Sequence, residues 1–230
     1  NKLPRFVLEN NVDGIIIAGR VPTEIITCLE SYNFPLIFVD YYPPEGDYSA
    51  VLIDNLNGAV QATEHLISYI LQHIVFIGVD ITHPSIRDRL QGYKIALDNH
   101  DFKFESRFAV ITESSTSRTD GYHAAGQLLN NYPELTAIFA SNDAMAIGAM
   151  QYLKEKGLDI PKDVSVIGFD DVNNSLFTDP PLSSMKVPKI ELGAESMRLM
   201  LQILKNNIKK SKKIIIPVEL IARESTIGMN

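Results

Sequence analysis

The sequence predicts an α/β fold built on parallel strands, and three observations carry that prediction. Short apolar runs alternate with amphipathic helical stretches along almost the whole chain. The runs are continuous rather than alternating, as in Ile15-Ile16-Ile17-Ala18 and Leu36-Ile37-Phe38-Val39, the pattern of strands covered on both faces. The third observation is the stretch from Ala137 to Asp171. An apolar run, Ala137-Ile138-Phe139-Ala140, breaks into Ser141-Asn142-Asp143; a helix follows from Ala144 to Lys156, with Gly157 at the left-handed cap position; a second run closes in Asp170-Asp171. A crossover of this length makes its two strands parallel.

In chain order, Asp13-Gly14 is a turn into the first strand, Ile15 to Ala18. Thr23 to Tyr32 is helical, Pro35 to Asp40 a strand ending in a carboxylate, and Ala50 to Asp54 a third strand after the turn-rich Pro43-Pro44-Glu45-Gly46. Asn57 can cap a helix from Gly58 to Leu71, with Ala59, Ala62, Leu66 and Ile70 at helical spacing. Ile74 to Val79 is a strand, Ser85 to Asn99 a helix, Phe108 to Thr112 a strand and Arg118 to Asn131 a helix. After Asp171 the alternation falters. Leu182 to Val187 is extended, Ile190 to Asn207 is a long helix, and Ile214 to Ala222 is a β-rich tail.

Composition excludes several classes of function. Of 230 residues, 45% are apolar and 21% charged, which fits a globular chain with a real core rather than a disordered one. No apolar run reaches membrane-spanning length, and Asn1 to Phe6 lacks the apolar core of a signal peptide, so the expected location is cytoplasmic with no membrane partner. The single cysteine, Cys28, can form neither an internal disulfide nor a thiolate metal site, and reads as a buried, inert thiol in its helix. A formal charge of −7 makes the chain a poor grip for phosphate backbone, so any DNA contact belongs to another segment. There is no phosphate-binding glycine loop, no H-E-x-x-H, no G-x-S-x-G elbow, and no spacing that joins the five histidines as ligands. Neither an enzyme nor a cofactor is called for.

What remains is a set of polar groups at or near strand ends: Asp40, Asn142, Asp170, and Arg89 early in the helix after Ile74 to Val79. In open parallel sheets, ligands bind beyond the carboxyl ends of the strands. Carboxylates accept hydrogen bonds from vicinal hydroxyls, a guanidinium donates in a fork, and an amide does both, which suits a hydroxyl-rich solute. These residues also have structural readings. Asn142 or Asp143 can cap the next helix, with Asp143 the preferred cap; Asp170 and Asp171 can be loop carboxylates; Arg89 can pair with Asp88 on the surface.

A family likeness runs through the same residues. The ordered pieces are Val12 to Ile17, Pro35 to Asp40, Asp54-Asn55 with Gly58-Ala59 and His65-Leu66-Ile67, Arg89 to Tyr93, the Ala137 to Asp171 unit, Pro180 to Met185, and Arg223-Glu224-Ser225-Thr226. Together they make the chain resemble the effector-binding core of a LacI/GalR-type transcriptional regulator, whose fold is shared with periplasmic sugar-binding proteins. The resemblance implies two doubly wound parallel-sheet subdomains of periplasmic-binding-protein class I. The N-terminal subdomain takes residues 1–54 with about 185–212, and the C-terminal one 55–184 with about 213–230. It implies ligand contacts at Asp40, Arg89, Asn142 and Asp170, a carbohydrate or related small metabolite as effector, a homodimer, and operator DNA read by a separate helix-turn-helix headpiece. The first β-α-β unit of the N-terminal subdomain and the headpiece have no counterpart in these 230 residues, which enter in the helix before Asp13. Other departures are Thr116 or Ser117 where an aromatic commonly stacks on the ligand, Val187 where a glutamine is common, and Ile70-Leu71 where a Gly-His pair ends the helix. The competing reading is the sugar-binding protein of an importer, for which a signal peptide upstream would speak.

Overall fold

The computed structural model describes residues 5–9, 11–69, 73–112, 116–206 and 210–226. The elements run α1 (Arg5–Leu8), β1 (Ile15–Ala18), α2 (Thr23–Glu30), β2 (Leu36–Val39), β3 (Ser49–Ile53), α3 (Asn55–Ser68), β4 (Ile74–Val79) and α4 (Pro84–Asn99). They continue β5 (Ala109–Thr112), α5 (Arg118–Asn131), β6 (Ala137–Ala140), α6 (Asp143–Glu155), β7 (Ser165–Asp170), β8 (Ser183–Lys186), α7 (Lys189–Asn206), β9 (Lys213–Ile216) and β10 (Glu219–Ile221). The α/β class with parallel sheets is as the alternation predicts.

The chain divides into two units, Asn1–Ile53 with Pro188–Ile216, and Asp54–Val187 with Pro217–Asn230. In the first, four parallel strands lie in the order β1-β2-β3-β9. Every residue of β2 is buried, which is why its run carries no polar alternation. Helix α2 turns Ile26 and Leu29 inward against Ile17, Phe38 and Ala50. Cys28 lies on the opposite face and is exposed, not buried as the sequence reading had it, because the apolar stripe of α2 runs through 26 and 29.

The second unit holds six strands in the order β10-β8-β7-β6-β4-β5, all parallel except the β10–β8 pair. The predicted strand–helix–strand unit pairs β6 directly with β7, Ile138 opposite Val166. Its apolar layer includes Ile138, Met145, Ala149, Leu153 and Val166, each essentially inaccessible. At about 1.5–3 kcal/mol for each fully buried large side chain, this layer is a major driving force for folding of the unit. Gly157 takes φ 78 just past α6, as its cap position requires.

Two boundaries differ from expectation. Asp54, not Asn57, caps α3: its carboxylate accepts from the Asn57 N–H at 3.0 Å, so the helix starts at Asn55. The end foreseen at Leu71, with its Ile70-Leu71 departure, lies outside the described residues. Farther on, Lys213–Ile216 belongs with the first unit and not with the C-terminal group of residues, because it pairs in parallel with β3, Val51 opposite Ile214. A strand's allegiance is fixed by the edge it finds, which local pattern does not encode.

The C-terminal tail is stitched to the second unit by hydroxyls. Ser225 Oγ donates to the Val166 carbonyl at 2.6 Å and accepts from the Ser183 N–H at 2.8 Å. His65 Nε2 meets Thr226 Oγ1 at 2.8 Å, and burial lowers the His65 pKa.

Candidate ligand-binding site

Three of the four candidate residues stand in the second unit. Asp170 is the last residue of β7, Asn142 follows β6 as the cap of α6, and Arg89 lies in the second turn of α4. Strands β6 and β7 are parallel neighbours, so their carboxyl ends bring Asn142 and Asp170 to the same edge of the sheet.

Arg89 is only 4% exposed, so its charge has to be met by fixed partners. Its guanidinium lies over the Phe169 ring, 3.7 Å from the centroid. Nε donates to Asn55 Oδ1 at 2.8 Å, Nη1 to the Ser141 carbonyl at 2.5 Å, and Nη2 stands 3.4 Å from Asp170 Oδ1. The surface pairing with Asp88 is not what forms, since Asp88 meets Arg87 instead. A planar fork stacked on an aromatic ring and tied at several nitrogens holds a fixed orientation.

Asp170 remains partly open, its side chain 33% exposed, at a backbone φ of 105. Asp171 follows at φ 46 and pairs with Arg223 at 2.7 Å, consistent with the loop role read for it. Left-handed backbone at successive non-glycine residues is strained and marks sites whose shape matters.

The cap of α6 is Asn142, not Asp143, the cap preferred from the sequence. Asn142 Oδ1 accepts from the Met145 N–H at 2.8 Å, so Asn142 is the cap. Its Nδ2 points to the Thr116 carbonyl at 3.3 Å. Asp143, one residue into the helix, is fully buried. Its carboxylate accepts from Ser184 Oγ at 2.5 Å, the Val172 N–H at 2.7 Å and Ser175 Oγ at 2.8 Å. Burial nevertheless pushes its pKa up to about 6, against the downward pull of those hydrogen bonds.

Asp40 stands in the first unit, directly after β2, at φ 56 with its N–H on the Val51 carbonyl at 3.0 Å. Ser117, where an aromatic was noted as missing, caps α5 in a reciprocal arrangement with Asp120. Val187 is buried at the end of the second unit. Among the described residues, no three His, Cys, Asp or Glu side chains converge as metal ligands. The arrangement around Arg89 offers an acceptor carboxylate, an amide and an immobile guanidinium, chemistry that fits hydroxyls. Its supports, Asn55 and the Ser141 carbonyl, lie in stretches that carry the family likeness but had no site role in the sequence reading, because each acts only through Arg89.

The fold agrees with what comparison with known proteins finds. Residues 63–226 match the model of the periplasmic binding protein-like domain. The HTH-type transcriptional repressor PurR of Mannheimia succiniciproducens is 30% identical over 96% of this chain, which spans 66% of that repressor's length, just under two thirds. A structure of the transcriptional regulator CelR in complex with cellobiose superposes with a TM-score of 0.87 at 26% identity, covering 96% of this chain and 68% of that one. A LacI family regulator from Enterococcus faecium with bound ribose gives a TM-score of 0.84 at 30% identity, over 96% of this chain and 82% of that one. The chain belongs to the periplasmic binding protein-like family, on its branch of LacI-type transcriptional regulators.

Proposed function

We propose that this effector-binding domain takes a sugar or a related small hydroxylated metabolite at Arg89, Asn142 and Asp170 of the second unit, Asp40 of the first unit being a separate candidate contact. The observation that carries this reading is the buried Arg89 fork held beside the half-open, left-handed Asp170 at a carboxyl strand edge. The sugars bound by the two superposed regulators support the ligand class. The chain acts as a sensor rather than a catalyst: an effector that binds one conformation better shifts the population toward it, and operator affinity in a separate helix-turn-helix follows. That coupling can be no larger than the effector's preference between the two states. The setting is the cytoplasm, with operator DNA as partner. No helix among the described residues is long and apolar enough to cross a membrane.

The reading includes a homodimer. Phe177 is 84% exposed and Leu176 53%, beside a groove of about 490 Å³ that also carries Ile147 and Met150. Arg118 and Lys154 line the groove with Glu155 and Asp179. With Lys154 paired to Asp179 within the chain, the rim is close to neutral around an exposed apolar patch, which suits a second copy of the same surface.

Isothermal titration of the chain against a panel of mono- and disaccharides, ribose and cellobiose included, tests the ligand class. One or more should bind, and Asp170→Ala should abolish that binding while leaving thermal unfolding in place. Silence across the panel, or unchanged affinity in Asp170→Ala, would overturn the assignment.

A further inference from the structure

Asp143 does more than begin a helix. Its Oδ2 takes the Val172 N–H and Ser175 Oγ, and its Oδ1 takes Ser184 Oγ. Ser184 Oγ in turn accepts from the Asp171 N–H at 3.1 Å. The backbone amides of the two residues after Asp170 are therefore held by one carboxylate, Val172 directly and Asp171 through a serine. Gly168 leaves the space this needs, since a Cβ there would stand 2.3 Å from Asp143 Oδ1. Asp170 and Asp171 are the two consecutive left-handed residues, a shape that persists only where the surroundings dictate it.

We propose that Asp143 is a positioning residue for the effector site, its ionised carboxylate fixing the Asp170–Asp171 turn and its protonation loosening that turn and weakening effector binding. This rests on the reading of Asp170 as a ligand contact. The charged groups around it are few. Asp170 faces Asp143 from β7 and disfavours its charge. Arg89 on α4 and Arg223 on the tail are engaged with Asp170 and Asp171, and Ser175 and Ser184 do not titrate. Burial is the largest influence on Asp143 and places its pKa near 6. The proton belongs on Oδ1, because the Val172 N–H cannot reverse its bond whereas the Ser184 hydroxyl can turn and accept; the bonds to Val172 and through Ser184 to Asp171 then lose their charge assistance and weaken.

The sign of the pH effect separates this role from a merely structural one. An acid whose pKa is raised on folding, here from 3.8 to about 6, takes up its proton more readily in the folded state. Its contribution to stability is thus largest in acid and is lost as pH rises through about 6. Effector affinity should move the other way, falling in acid.

Hydrogen exchange at the Asp171 and Val172 amides of the whole chain tests the clamp with no ligand present. Corrected for intrinsic rates, wild-type protection should fall about tenfold between about pH 8 and pH 5, the worth of one charge-assisted hydrogen bond. Asp143→Asn should show the low value at both. Should that variant fail to fold, Ser184→Ala serves: it should expose Asp171 while leaving Val172 protected. Protection in the wild type that is independent of pH, or Asp171 protection unaltered in Ser184→Ala, overturns the proposal. Titration with ribose and cellobiose over the same pH range judges the site separately. If either binds, affinity should drop about tenfold in acid for the wild type and stay flat in Asp143→Asn; equal pH profiles refute the coupling. If neither binds, the choice of ligand fails while the exchange result still decides the clamp.

Discussion

Asn142 caps α6, and one substitution can separate that duty from the ligand contact proposed for it. Its carbonyl oxygen caps α6 through the Met145 N–H, and its amide nitrogen is free to serve a ligand as well as the Thr116 carbonyl. Serine caps a helix about as well as asparagine, whereas alanine costs about 1 kcal/mol. Asn142→Ser should therefore unfold at the wild-type temperature and Asn142→Ala a few degrees lower, while both lose sugar affinity to the same extent. If Asn142→Ser binds like the wild type, the amide is not a ligand contact. At this scale the sequence was legible in kind but not in assignment. Asn142 and Asp143 are neighbours with the same capping chemistry, and only the burial of Asp143 against Ser184 and Val172 decides which of them leaves the helix end. The left-handed φ at Asp40, Asp170 and Asp171 had no signal beyond aspartate's tolerance of that region.

Helices α5 and α6, which fix where Asn142 stands, touch backbone to backbone. A Cβ on Gly148 would lie 1.9 Å from the Arg118 carbonyl oxygen, and one on Gly121 2.1 Å from that of Met145. Neither obstacle is a side chain that can swing aside. Gly148→Ala should destabilise by about 1–3 kcal/mol in urea denaturation, since the helices must part. Gly193 on α7, with nothing within 4 Å of its would-be Cβ, is the control. Gly193→Ala should stabilise by about 1 kcal/mol, as expected for an open helical glycine. Opposite signs are the test; two stabilising substitutions would mean that the close crossing is not formed. Elements themselves were largely readable. Strands β2 and β4 fall on their predicted runs because every residue in them is buried, so the apolar pattern has sharp ends. The start of α3 was missed because Asp54 and Asn57 are both good caps three residues apart, and the one at the end of β3 wins.

For the whole molecule, the family was legible because its pieces recur in order across the chain, while each alone is weak. The proposed dimer is an expectation from that likeness alone, since an exposed aromatic has no signature before the fold exists. Phe177 gives it a physical handle. At 84% exposure the side chain contributes little to its own fold, so Phe177→Glu should leave the unfolding temperature near that of the wild type. In a two-fold interface the same substitution is felt twice. Losing the burial of two phenylalanines removes about 3–6 kcal/mol from association, and the paired glutamates add repulsion and desolvation. Sedimentation or light scattering should therefore find the wild type at twice the chain mass of 25.6 kDa and Phe177→Glu at that mass itself. A variant that stays dimeric puts the interface elsewhere, and a wild type that is monomeric at high concentration removes the dimer from the reading. Sugar titration of the monomeric variant then adds a further constraint. Arg89, Asn142 and Asp170 all belong to one unit of one chain, so affinity should survive the loss of the partner copy, leaving only the coupling to DNA dependent on the dimer.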